Sequence, residues 1–233
     1  MTELNGRGLQ GRSDDARVRR LSATYRGSTA LGLCIACALT LAPSVSRAGQ
    51  TLPNGGQYVA GQGSITNSAN NVTVNQLSSH GIINWQNFSI GQDNSVLFNN
   101  GSGATLNRVT GGQLSQIDGS LKATGSVYLI NPQGIVIGPS GQVVTNGSFV
   151  ASTRDVSNNA FMNGQPFSAS GTSNGSIINQ GVITSNNGDA ILVGSAVTNT
   201  GRLPPADVRA LTCAGCARKS MSFFTSSGCF DFE

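Results

Sequence analysis

Charged residues are scarce in this sequence: Asp, Glu, Lys and Arg make up 10% of 233 residues, against about 25% in an ordinary globular chain. That deficit excludes a helix-rich protein, whose exposed faces need Lys, Glu and Arg in quantity. His80 is the one histidine, so no multi-histidine metal site can be built. No apolar run reaches the length of about 18 residues that a membrane-spanning helix requires. Cysteine is absent between residues 49 and 203. Cys34 and Cys37 lie in an apolar N-terminal stretch, where they serve as small hydrophobes. Cys213-Ala-Gly-Cys216 lacks the second half of a zinc ribbon and any surrounding βαβ pattern. We expect no metal and no cofactor.

The basic balance belongs to one segment. Residues 1–48 hold seven Arg against three acids, and this accounts for the whole net charge of +4. Residues 49–203 balance Arg108, Lys122, Arg154 and Arg202 against Asp93, Asp118, Asp155 and Asp189. Nucleic-acid binding needs a basic stripe on the folded body, and this body has none. Arg17, Arg19, Arg20 and Arg26 precede an apolar stretch from Thr29 to Ala42, followed by Ser46-Arg47-Ala48. A basic region, an apolar region and a small-residue site make a secretory signal peptide, with cleavage expected between Ala48 and Gly49. A short buried helix is the competing reading.

What the body does contain is rhythm. Between 49 and 203, Gly, Asn, Ser, Thr and Gln supply roughly 57% of residues, a level that alone suggests disorder. Val, Ile, Leu and Phe still supply roughly 26%, enough for a folded chain, and they are clustered. Val72-Thr73-Val74, Val96-Leu97-Phe98, Val127-Tyr128-Leu129-Ile130, Ile135-Val136-Ile137 and Ile191-Leu192-Val193 are examples, each bounded by Gly, Asn or Ser. Short β-branched clusters between turn residues are strands, so the body is all-β. Ser176–Ile183 aligns with Ala196–Leu203 twenty residues later, both reading small, apolar, x, Asn, x, Gly, x, apolar. A period near twenty fits one coil of a parallel β-helix, a single-stranded solenoid. About seven coils are expected from this length, with apolar ladders inside and stacked Asn at the corners. The same rhythm permits an antiparallel β-sandwich.

A longer ordered set of motifs is more specific. Trp85-Gln-Asn-Phe88-Ser-Ile-Gly91, Val96-Leu-Phe-Asn99, Leu106-Asn107-Arg108-Val109, Ser115-Gln-Ile117-Asp-Gly119, Val127–Ile135 and Phe149–Thr153 follow in series. This series resembles the N-terminal secretion (haemagglutination-activity) domain of filamentous-haemagglutinin-like two-partner secretion exoproteins, over roughly Leu52 to Leu203. The resemblance implies a right-handed parallel β-helix with an N-terminal cap. It also implies export through the Sec translocon and recognition by the POTRA domains of an outer-membrane β-barrel transporter. The product would be secreted or held at the surface of a Gram-negative bacterium. The family's Asn-Pro-Asn-Gly-Ile motif falls on Asn131, Pro132, Gln133, Gly134 and Ile135, with Gln133 in place of the third Asn. Trp85, Phe88, Asn107, Arg108, Val109, Ile117 and Gly119 fall on family motif positions that we read as structural.

Bland readings stand beside these. Pro132 with Asn131 and Gly134 makes a turn after the apolar run, and Trp85 reads as a core or cap residue. Arg108 is a candidate partner for Asp118, with a solvated surface role as the alternative. Parallel β-helices also host polysaccharide lyases and glycosidases, which need clustered acids or a metal. Four scattered aspartates do not supply that, so no catalytic residues are assigned, and a polysaccharide-binding or polysaccharide-cleaving rod is the alternative function. Asn71, Asn87, Asn146 and Asn174 open Asn-x-Ser/Thr sequons, which an Asn- and Ser-rich chain produces by chance. After Leu203 the composition breaks at Pro204-Pro205. We read 204–233 as an atypical tail, truncated or frameshifted relative to a long adhesive shaft that would meet host-cell glycans or proteins. A small C-terminal cap is the other reading.

Overall fold

The computed structural model describes residues 51–165, 167–203, 208–212 and 221–223. The expected signal peptide, its Ala48–Gly49 cleavage site and all five cysteines lie outside these residues. Three ladders of short strands wind around one apolar core. Sheet I contains β1 (Gln57–Ala60), β4 (His80–Trp85), β6 (Ala104–Val109), β9 (Ser126–Ile130), β12 (Phe149–Ser152), β16 (Ala190–Gly194) and β18 (Val208–Thr212), in that order. Sheet II runs β2 (Gly63–Asn67), β3 (Asn71–Gln76), β5 (Ser95–Asn99), β8 (Ser120–Ala123), β11 (Gln142–Thr145) and β15 (Val182–Ser185). Sheet III runs β7 (Ser115–Ile117), β10 (Ile135–Ile137), β14 (Ser176–Asn179) and β17 (Ala196–Asn199).

Within these ladders β3 to β18 pair in parallel. The fold is therefore a parallel β-helix and not a sandwich. The twenty-residue offset seen in the sequence is a strand register: Ser176, Ile177, Ile178 and Asn179 pair with Ala196, Val197, Thr198 and Asn199. Asparagines stack at the corners, with Asn99 Nδ2 donating to Asn75 Oδ1 and Asn179 Nδ2 to Asn199 Oδ1, both at 2.8 Å.

The helix has about five turns, fewer than the seven expected, because two stretches do not coil. Residues 57–67 form β1 and β2, which run antiparallel to β4 and β3 and close the N-terminal end. Residues 153–175 leave the coil as an excursion carrying α1 (Asn158–Met162) and β13 (Phe167–Ala169), with Asp155 and Ser170 bridging its base. Beyond the Pro204-Pro205 break, β18 still adds a parallel strand to sheet I. β19 (Met221–Phe223) pairs antiparallel with β13.

Period-2 alternation places Val72, Val96, Leu121, Val143 and Ile183 in one interior ladder of sheet II. Sheet I is apolar on both faces. Ile82, Leu106, Tyr128, Val150 and Ile191 form a second ladder on its outer side, and the excursion covers that side with Val156, Phe161 and Ala169. Phe161 meets Tyr128 edge-on at 5.2 Å and His80 at 5.5 Å between ring centroids.

Candidate functional site

The Asn131 corner is a turn held by one buried amide. Asn131 ends the run of β9 and is fully buried. Its Nδ2 donates to Gln113 O and to Ser115 Oγ, both at 2.9 Å, while its Oδ1 accepts from the Gln133 backbone N at 2.9 Å. Gly134 N closes the turn on Asn131 O at 3.1 Å, and Gly134 O accepts from Ser115 N at 3.0 Å. Gly134 has φ +118°, a conformation that L side chains avoid. Ile135 then enters the core between Ser115 and Ile177. Pro132 and Gln133 are exposed, so the corner displays a rigid ring and one amide above a locked base. The exchange of Asn for Gln at 133 leaves the corner's bonds intact, because this residue contributes its backbone N–H. Ser173 Oγ, at the end of the excursion, donates to Pro132 O at 2.5 Å.

The remaining motif residues build the core near the cap. Trp85 Nε1 donates to Asn107 Oδ1 at 2.9 Å, and Asn107 Nδ2 reaches Thr105 O and Tyr128 O at 3.3 Å. Asn107 is a fully buried polar residue inside the β-helix, tolerated because both ends of its amide are bonded. Trp85 packs edge-on against Phe88 at 5.4 Å, and Phe88 stacks on Phe98 at 6.4 Å. Val109 and Ile117 join the same core. Gly119 has the carbonyl oxygens of Gly91 and Asn94 where a Cβ would stand. Trp85 is 1% exposed and offers no ligand platform.

Arg108 points outward from sheet I and does not meet Asp118. It grips the excursion instead: Nε donates to Asp155 Oδ1 and Oδ2 at 2.9 and 3.0 Å, and Nη2 to Val156 O at 3.2 Å and Asn158 Oδ1 at 2.9 Å. Nη2 also lies 2.9 Å from Asp155 Oδ1. Asp118 accepts from Gln116 Nε2 at 2.9 Å. The sequence reading missed this pairing because 47 residues separate the partners and the excursion was not foreseen. A signal was present: runs apolar at every position, such as Val127–Ile130 and Ile191–Val193, mark strands buried on both faces.

Two carboxylates, Asp93 and Asp118, share a groove of about 490 Å³ with Gln116 and Ser140. Tyr128 is pushed up to about 12 by burial, with a further contribution from the Asp189 charge, and Tyr58 to about 12 by burial. No group of three His, Cys, Asp or Glu residues able to hold a metal occurs among the described residues. Asp155 is committed to Arg108. A groove of about 530 Å³ lies beside His80, Tyr128 and Phe161, with Ser and Asn side chains and no carboxylate on its walls.

Fold and site together define a capped β-solenoid whose motif residues serve corners, core and the anchoring of an excursion. The sequence matches the model of the TPS secretion domain over residues 49–220, and the chain belongs to that family, the secretion domains of two-partner secretion exoproteins. It is similar to two heme/hemopexin-binding proteins of Haemophilus influenzae. One is 35% identical over 137 residues (57% of this chain and 15% of the relative), the other 40% identical over 91 residues (38% and 10%). The chain thus spans a small part of these relatives' length. The crystal structure of the HMW1 secretion domain from Haemophilus influenzae superimposes with a TM-score of 0.65 at 30% identity, covering 77% of this chain and 48% of that one.

Proposed function

We propose that the domain addresses an exoprotein to a cognate outer-membrane transporter, whose periplasmic POTRA domains recognise it, and that it nucleates β-helix folding at the cell surface. Membership of the TPS secretion-domain family carries this reading. The Asn131 corner supports it: a buried amide holds Pro132 and Gln133 outward in one fixed shape, as a recognition point requires. Delivery begins with Sec export and cleavage between Ala48 and Gly49, and ends outside a Gram-negative cell. The topology supports nucleation. The antiparallel cap closes one end, so coils add in one direction, each pairing with the strand before it.

The test is release of the full chain into the medium by cells with and without the cognate transporter, followed by immunoblot. Transporter-dependent release is expected. Equal retention in the periplasm of both strains, with a folded product, would overturn the reading and return attention to a polysaccharide-binding rod.

A further inference from the structure

Among the described residues, β2 of the N-terminal cap is a strand edge that no coil pairs with. β2 ends sheet II and runs antiparallel to β3, so the next parallel coil cannot stack on it. Its hairpin closes through Ser68 N to Asn71 O, and at the other end Leu77 N donates to Gln62 O, both at 2.8 Å. Alternate pairs of an antiparallel ladder exchange hydrogen bonds. With Ser64 opposite Asn75 and Thr66 opposite Thr73, those residues bond to β3. Gly63, Ile65 and Asn67 therefore direct their N–H and C=O groups to the open side.

This edge carries none of the usual protections. Natural edge strands are blunted by Lys, Pro, inward charges or bulges. β2 reads Gly-Ser-Ile-Thr-Asn, is largely exposed, and keeps regular register over five pairs. β1, the edge of sheet I, is by contrast irregular between Tyr58 and Ala60. Three large hydrophobic residues are exposed among the described residues, and two of them lie at this end: Val59 on β1, and Leu77, 82% exposed, which follows β3 and bonds to Gln62.

We infer that β2 is the docking edge for an extended, uncharged segment of the transporter's periplasmic domains, which adds as a third strand beside the β2–β3 hairpin. This rests on the proposed secretion role. An isolated two-stranded hairpin is marginal in water, and a third strand is what makes it stable. The hairpin is local in sequence, so a strand added beside β2 stabilises it independently of the coils. The partner's strand then holds the cap until β5 pairs with the other side of β3. Main-chain bonds supply the affinity, as in other strand-addition complexes, and Leu77 supplies an apolar contact.

The experiment uses the full chain with its cognate transporter. Asn67→Pro removes one outward N–H and places a ring on the edge, while the bonds from Ser64, Thr66 and Ser68 to β3 remain. Asn67→Ser keeps the N–H. Release of Asn67→Pro should fall about tenfold, the effect of losing roughly one ladder bond and blocking its neighbours. Release of Asn67→Ser should match the parent. Parent-level release of Asn67→Pro would overturn the docking edge and leave the secretion role standing, whereas a parent chain released without the transporter would remove the secretion role itself. If Asn67→Pro loses the parent's protease resistance, the deciding measurement is a photo-crosslinking benzoylphenylalanine at position 67. A transporter adduct supports the edge, and its absence, with an unchanged secretion level, refutes it.

Discussion

Replacing Asn131 by Ala should separate the shape of the corner from its recognition. The substitution deletes three hydrogen bonds, two donated to Gln113 O and Ser115 Oγ and one accepted from Gln133 N. Gln113 and Gln133 are exposed, so water replaces part of what they lose. Ser115 is fully buried, and its hydroxyl is left without that donor. At about 1 kcal/mol per bond, with a larger penalty for the buried partner, the loss comes to about 2–4 kcal/mol. This is a large fraction of the 5–15 kcal/mol typical of a domain. Urea unfolding followed by fluorescence measures it directly, since Trp85 is the chain's one tryptophan and is buried. Gln133→Ala and Gln133→Asn, altering only an exposed side chain, should stay within about 0.5 kcal/mol of the parent. If Gln133→Ala retains stability and loses release, the transporter reads the outward amide. If Asn131→Ala unfolds at the parent's midpoint, the assignment of the corner's rigidity to this amide is refuted.

Arg108→Ala should cost about 1 kcal/mol, since Asp155 is half exposed and such pairs are weak, and should speed proteolysis within residues 153–175 far more than elsewhere. Equal cleavage in both proteins would show that apolar packing alone holds the excursion. Asn107→Ala should cost about 2–3 kcal/mol because Trp85 Nε1 is left buried and unbonded, and a red-shifted, quenched emission should accompany it. Alkali should weaken the fold. Tyr128 has a folded pKa raised to about 12 from 10.0, so its contribution is complete below pH 10 and is lost as pH rises towards 12. The loss is at most roughly 2–3 kcal/mol. Urea midpoints at pH 9 and 11 should differ in the parent, and Tyr128→Phe should narrow the difference.

The period in the chain made a solenoid legible as one of two architectures, and the ordered motif series, by its resemblance to the secretion-domain family, pointed to it over the sandwich. Strand-length apolar clusters and the Ser176/Ala196 offset became registers, and Asn179 and Asn199 became a bonded pair. The corner motif was legible as a turn because Asn, Pro and Gly at that spacing leave few turn geometries open. The excursion was not legible. Its residues share the Gly, Ser and Asn composition of the coils, and nothing local shows that Thr153 leaves the coil and that Ser176 resumes it, with Ile177 opposite Ile135.

Composition and period thus determined an all-β, neutral body, since these follow from backbone propensity and from alternation that one strand displays by itself, while the resemblance to the secretion-domain family pointed to the β-helix over the sandwich and to the corner residues. Tertiary structure decided the number of coils, the partner of Arg108, the burial of Asn107 and which edge of the cap stays open. Each of those depends on residues some twenty to fifty positions apart being brought together, and ladder pairing and burial, unlike turn preference, are properties of neighbours in space.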